Sequence, residues 1–181
     1  MRSTLLAICT SQNRPHKIVV YAPGGESPLR VIEHGVHYPY GMALDAFGNL
    51  YIANGGIARR PGSVTVYASG GTTLLRTIRQ GVYEPSPLVF GPTGNLFVGN
   101  VFGSSASVSV YPPNGSSPLR TITDDVTNPR SLACGPSGYL YVGNDLGAGI
   151  SVYAPGASKP ARTIPIGDVH ASTRSLAFAN R

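Results

Sequence analysis

The chain repeats one short pattern four times, and this repetition limits its fold more than any other feature. Each copy has an apolar segment that ends in Tyr, followed by a segment similar to Leu-Arg-Thr-Ile. The repeated residues are Tyr21, Tyr67, Tyr111 and Tyr153, and then Arg30, Arg76, Arg120 and Arg162. In both sets the spacings are 46, 44 and 42 residues. Because the spacings of the Tyr and Arg residues change by the same amounts from copy to copy, the copies are repeats of one structural unit.

The second copy shows four segments of strand character, at residues 41–45, 49–54, 63–67 and 75–78. These segments, which we name a to d, are enriched in β-branched and aromatic residues, and glycine-containing turns separate them. Repeats of about 40–50 residues made only of strands are typical of β-propeller blades. We therefore predict an all-β propeller of four repeats, each with four antiparallel strands.

The two ends of the chain differ from the inner copies. The first copy has strands b, c and d without a strand a, and a spare strand a is expected at residues 174–178. We expect this segment to pair with residues 5–10, so that the first blade is split between the two ends. The prediction is a single domain over residues 1–181, with repeat units at 4–33 plus 174–178, 40–79, 86–123 and 129–164.

The number of blades in the complete ring stays open. A closed ring of four blades needs about 90° between neighbours, which calls for bulky residues in the outer strand. The outer strand instead carries the small residues Thr77, Thr121 and Thr163. The chain could close a four-blade ring, form an eight-bladed ring as a homodimer, or be part of a longer, larger propeller.

Composition sets limits on the partners. The net charge is +6 and only 12% of the residues are charged, so the field is weak and a nucleic-acid partner is not expected. No apolar run approaches the roughly 18 residues of a membrane span. A short apolar stretch at the start is a poor match to a signal peptide, and the cellular compartment stays open.

Three segments of the second copy carry a family resemblance. Residues 39–45 fit Pro-x-Gly-Met-Ala-x-Asp, residues 48–54 read Gly-Asn-Leu-Tyr-Ile-Ala-Asn, and residues 63–67 read Ser-Val-Thr-Val-Tyr. This pattern resembles the NHL-type repeats of the six-bladed propeller superfamily, and in particular those of bacterial cell-surface and secreted proteins. The resemblance covers residues 4–178. It implies the blade but no single activity, because that superfamily includes protein- and RNA-binding modules, lactonases and lyases.

Binding sites on propellers usually lie where the d-to-a and b-to-c loops surround the central channel. Aligned residues just before strand a, and others three positions earlier, differ in polar type from repeat to repeat. Such variation fits a ligand site grafted on a repeated scaffold, and it equally fits surface loops under no constraint. The predicted ligand-binding residues are His37, Tyr40, Tyr83, Ser86, Arg130, His170 and Arg174.

We therefore expect a non-catalytic propeller scaffold that recognises a protein, a glycan or a small-molecule ligand through these loops. The alternative is a metal-assisted hydrolase or lyase similar to the gluconolactonase and regucalcin group, whose members hold a divalent metal with Glu, Asn and Asp. The chain has only eight acidic residues, and they do not converge at the starts of strands a. We expect no catalytic residue, metal or cofactor. Asn54, Asn100 and Asn144 end strand b, and we expect them to bond the loop backbone.

Overall fold

The structure is a computed structural model. It describes residues 6–10, 16–22, 24–55, 61–101, 106–145, 149–167 and 174–177, with the backbone alone given for residues 6–10. Across these ranges the chain forms fifteen strands and no helix. Accordingly, the described chain contains no helix long and apolar enough to cross a membrane.

The strands form four antiparallel sheets in chain order. The first sheet contains β1 (Leu6–Thr10), β2 (Lys17–Tyr21) and β3 (Pro28–Ile32). The second contains β4 (Pro39–Leu44), β5 (Leu50–Asn54), β6 (Ser63–Tyr67) and β7 (Leu74–Ile78). The third contains β8 (Pro85–Phe90), β9 (Leu96–Asn100), β10 (Ser107–Tyr111) and β11 (Arg120–Ile122). The fourth contains β12 (Ser131–Cys134), β13 (Leu140–Gly143), β14 (Ile150–Tyr153) and β15 (Arg162–Ile164).

Each sheet is a meander in which consecutive strands are hydrogen-bonded neighbours. The second, third and fourth sheets therefore have the predicted strand order a, b, c, d. Strands a of adjacent sheets pack side by side, β4 against β8 and β8 against β12. A Cβ atom at Gly41 would lie 1.8 Å from the carbonyl oxygen of Ser86. This close approach of β4 to β8 requires glycine at position 41.

The hydrophobic core lies between the sheets. Strand β5 is buried along its whole length, and its side chains alternate between two clusters, as strand geometry requires. Leu50 and Ile52 pack toward the first sheet with Ile18, whereas Tyr51 packs toward the third sheet with Val98. The apolar residues of each inner sheet thus serve two contacts, one on each side.

The extra strand a that the sequence predicted at residues 174–178 is not seen in the described part of that segment. Residues 174–177 have irregular backbone, and the first sheet has three strands in the described part of the chain; Phe178 lies outside it. Two of the strands a that do form begin at Pro39 and Pro85, and the third begins two residues after Pro129; all three prolines are buried. Thr173 occupies the aligned position before Arg174. The segment therefore lacks the apolar anchor with which the other strands a begin.

Candidate ligand-binding face

The d-to-a and b-to-c loops of each sheet lie at the same end of the strands, and we call this end the loop face. Its d-to-a loops are held by buried asparagines at the ends of strands b. The backbone N–H groups of His37 and Tyr83 donate to Oδ1 of Asn54 at 2.8 Å and Oδ1 of Asn100 at 2.9 Å. The N–H of Thr127 donates likewise to Asn144 at 2.8 Å. This confirms the structural role expected for the three asparagines.

The side-chain amides of these asparagines are also held by hydrogen bonds to serines of strand c. Nδ2 of Asn100 donates to the hydroxyl oxygens of Ser107 at 3.0 Å and Ser109 at 3.2 Å, and Nδ2 of Asn144 donates to Ser151 at 2.8 Å. All of these side chains are buried. Because both ends of each amide are used, the asparagine holds its loop in one position.

On the loop face, three non-glycine residues that directly precede a proline have a left-handed backbone. They are Tyr38 with φ 46°, Glu84 with φ 43° and Asn128 with φ 49°. This region is sparsely populated by residues that carry a Cβ atom and costs about 1–3 kcal/mol each. The same distortion in three repeats shows that the loops share one imposed backbone path. The ring of Tyr38 also packs on His16, with centroids 4.0 Å apart.

The predicted site residues fall into two groups. His37, Tyr40, Tyr83 and Arg130 lie exposed on the loop face of three successive sheets, and Ser86 is half-buried there. Tyr40 is 64% exposed and Tyr83 is 54% exposed, which is unusual for large aromatic side chains. Arg174 is exposed but lies in irregular backbone, and His170 lies outside the described residues.

Tyr40 and Arg130 have fixed surroundings although they are exposed. A Cβ atom at Gly55 would lie 2.2 Å from the ring of Tyr40, so the ring packs against the start of the b-to-c loop. The Nε of Arg130 donates to Oδ2 of Asp145 at 3.0 Å, and Asn128 donates to the same oxygen at 3.0 Å. Asp145 was not among the predicted residues, because nothing in the sequence shows that the b-to-c and d-to-a loops meet there.

An open groove of about 550 Å³ lies on the loop face of the second sheet. Its described lining is Pro61, Gly62, Arg79, Gln80, Gly81, Val82 and Tyr83. Tyr83 is the one predicted residue in this lining. Arg79 and Gln80 were missed because the repeat alignment marks variable positions but does not show which loops enclose a cavity.

The side chains on this face are of types suited to aromatic stacking and hydrogen bonding. Across the described ranges, no three His, Cys, Asp or Glu side chains lie close enough together to hold a metal ion. The exposed groups are phenol rings, an imidazole and guanidinium groups, which bind planar, anionic and carbonyl-bearing surfaces.

No family model matches the chain. No curated protein matches it either. Solved structures do match, and two of them define the fold. A hydrazine synthase chain from Kuenenia stuttgartiensis aligns with 83% of this chain at a TM-score of 0.69 and 16% identity. The WD40 β-propeller domain of Doa1 aligns with 71% of this chain at a TM-score of 0.58 and 16% identity.

The chain has a β-propeller fold. Its alignments span 43% of the hydrazine synthase chain and 40% of the Doa1 domain chain, so it spans less than half the length of these structures. The identity of 16% shows the fold alone. In this propeller the d-to-a and b-to-c loops lie together at the loop face.

Proposed function

We propose that this propeller is a non-catalytic recognition module that binds a protein partner through the loop face. The observation that carries the proposal is the pair of exposed tyrosines, Tyr40 and Tyr83, presented by loops that the buried asparagines hold rigid. Tyrosine and arginine are the residues most enriched where protein interfaces gain their affinity. A rigid loop loses little conformational entropy on binding, which favours affinity.

The shape of the face supports a protein rather than an enclosed small molecule. The groove beside Tyr83 is open and is bounded on its described sides by only two loops of one sheet. Small-molecule pockets usually enclose most of their ligand. A glycan or small ligand is therefore the secondary expectation for this face. The resemblance of residues 39–67 to NHL-type repeats supports placing the chain near that group of propellers.

The test uses displayed random peptides and a glycan array as probes for the full chain. Binders found with the wild type are measured against the double variant Tyr40→Ala/Tyr83→Ala and against the matched control Phe47→Ala/Tyr139→Ala. Phe47 and Tyr139 are exposed aromatics of the a-to-b turns, at the opposite end of the strands.

We expect peptide binders whose affinity falls at least about tenfold for each tyrosine removed, which corresponds to about 1.4 kcal/mol. The control variant should bind like the wild type. The proposal fails if the peptides bind the double variant as tightly as the wild type, if the control variant alone loses binding, or if only glycans bind.

A further inference from the structure

The three contacts between adjacent sheets are built in the same way. In each contact, the turn after strand d places a residue with left-handed backbone against a tyrosine of the next sheet. The turn residues are Gly35 with φ 81°, Gly81 with φ 73° and Asp125 with φ 57°. The tyrosines are Tyr67, Tyr111 and Tyr153, and their hydroxyl groups donate to the carbonyl oxygens of His34, Gln80 and Asp124. We call the side of a sheet that carries the turn the trailing side, and the side that carries the tyrosine the leading side.

The trailing side of the last sheet has the same construction, but no sheet of the described chain packs on it. The paired residues Val64 and Ile78 of the second sheet are fully buried. Their counterparts in the last sheet, Ile150 and Ile164, are partly exposed. Thus an apolar side that the other sheets bury against a neighbour is left open here.

The turn on this trailing side also has no described tyrosine packed against it. Gly167 has φ 75°, as Gly35 and Gly81 do. A Cβ atom at Gly35 would lie 2.9 Å from the hydroxyl oxygen of Tyr67, whereas a Cβ atom at Gly167 would meet no described atom within 4 Å. The turn has therefore kept the shape that receives a tyrosine hydroxyl without one in place.

The leading side of the first sheet carries the tyrosine of this contact, but no described turn packs against it. Tyr21 aligns with Tyr67, Tyr111 and Tyr153, which are fully buried, but Tyr21 is partly exposed. Its hydroxyl group makes no hydrogen bond to the described residues. Val31, in the outer strand of the same sheet, is 40% exposed. In β1, Leu6 lies opposite Tyr21 in the strand register, as Leu50 lies opposite Tyr67.

These two open sides are not joined within the described chain, because no strand of the last sheet packs closely on a strand of the first. We propose that the leading side of the first sheet docks on the trailing side of the last sheet of a second copy of this chain. Two copies then close one eight-bladed ring through two identical seams. The hydroxyl of Tyr21 donates to the carbonyl oxygen of Ile166 across each seam, continuing the pattern of the three internal contacts.

The residues of the first sheet that would face the turn are compatible with glycine at position 167. Asp125 accepts hydrogen bonds from Ser151 at 2.8 Å and Thr163 at 2.6 Å in the sheet that follows it. The positions of Ser151 and Thr163 are taken in the first sheet by Val19 and Val31, which are paired in the same register. Glycine at position 167 places no charge against this apolar pair, whereas a carboxylate there would lack hydrogen-bond partners.

The proposed seam also accounts for the extra strand a that the sequence predicted at residues 174–178. They follow the outer strand of the last sheet, as strand a follows strand d in every repeat. Across the seam, residues 174–177 would lie next to β1 of the second copy, whose sheet has no strand a among the described residues. The missing fourth strand of each first sheet would then come from the other copy. This proposal does not depend on the protein-binding role of the loop face.

The test is the molar mass in solution over a dilution series, measured by light scattering after size-exclusion chromatography. We expect the wild type to have twice the 18.9 kDa of one chain. Gly167→Asp should give the mass of one chain, since its carboxylate would face Val19 and Val31. The control Gly70→Asp has a similar left-handed strain, at φ 69°, in open space, and it should remain a dimer. Thermal unfolding of both variants shows whether each is folded.

A mixing experiment separates this seam from any other dimer. Tyr21→Asp damages only the leading side, and Gly167→Asp damages only the trailing side. Each variant alone should be a monomer, but their mixture should form a heterodimer through one intact seam. If Gly167→Asp does not fold, Ile164→Arg replaces it, with the exposed Leu119→Arg as its control. A wild-type mass other than that of two copies, a dimeric Gly167→Asp or Ile164→Arg variant, or a mixture without heterodimer would overturn the proposal.

Discussion

The hydroxyl group of Tyr111 donates a 2.7 Å hydrogen bond to the carbonyl oxygen of Gln80 in the preceding sheet. The ring of Tyr111 is fully buried, so this bond replaces the one that its hydroxyl would make to water in the unfolded chain. The same bond from Tyr67 to His34 is 2.6 Å long. In the second, third and fourth sheets, the tyrosine that ends strand c therefore ties one blade to the one before it.

Removing the hydroxyl of Tyr111 should weaken this tie without creating a cavity. Tyr111→Phe keeps the ring but leaves the carbonyl of Gln80 without its partner, and we expect a loss of about 1–2 kcal/mol in the free energy of unfolding. Urea unfolding measures the change. The control is Tyr139→Phe, whose ring is partly exposed on a turn; equal losses for both variants would contradict the assigned role.

The buried tyrosines should also make the fold sensitive to alkali. Burial raises the pKa of Tyr111 and of Tyr153 to about 12, whereas the unfolded value is about 10. A raised folded pKa stabilises the fold fully below the unfolded pKa, and this stability is lost as the pH rises from about 10 through about 12.

Urea midpoints at a series of pH values from neutral to strongly alkaline test this dependence. We expect the midpoint to fall through that window, and tyrosinate absorbance from the buried rings to develop together with unfolding. In the Tyr111→Phe/Tyr153→Phe variant the fall should be shallower. If the wild type and this variant lose stability in parallel, the two phenols are not responsible.

Loss of one asparagine anchor should release a loop of the loop face. Asn100→Ala removes the acceptor of the Tyr83 N–H and the donor to two buried serines, so we expect a loss of about 2–3 kcal/mol. Hydrogen exchange at the Tyr83 amide should become faster by a larger factor than exchange within β10. Asn95→Ala is the control, since the half-buried Asn95 side chain bonds no described residue. A protected Tyr83 amide in Asn100→Ala would contradict the anchoring role.

Gly41 should tolerate no larger residue. The Cβ of Gly41→Ala would overlap the backbone carbonyl of Ser86, and we expect a loss of about 3 kcal/mol or more, because two inner strands must move apart. At Gly71 a Cβ atom would have only ordinary contacts of 3.7 Å and longer. Gly71→Ala should change the melting temperature little, and a Gly41→Ala variant that melts with it would show that β4 and β8 are not closely packed.

Much of the fold could be predicted because its determinants are local and repeated. The alternation in strands such as β5, the turn glycines and the tyrosine at the end of each strand c recur in register, and they specify the meander and its order. The anchoring role of Asn54, Asn100 and Asn144 was also predictable, since it follows from their place at strand ends.

The remaining features depend on contacts between distant loops. The ion pair of Arg130 with Asp145 and the groove that brings Gly62 close to Arg79 exist only because separate connections meet. The strand expected at residues 174–178 illustrates a different limit. Its apolar pattern matches the other strands a, but a strand also needs a free edge within reach, and the edge of β1 lies at the other end of the row of blades.

The most direct test of the account is the nuclear Overhauser effect between the ring protons of Tyr111 and the α protons of Gly81. The hydroxyl oxygen of Tyr111 lies 3.2 Å from the Cβ position of Gly81, so the account predicts a cross-peak between these two residues of neighbouring sheets. A spectrum in which the assigned Tyr111 ring contacts only its own sheet would contradict the stacking of the repeats as blades.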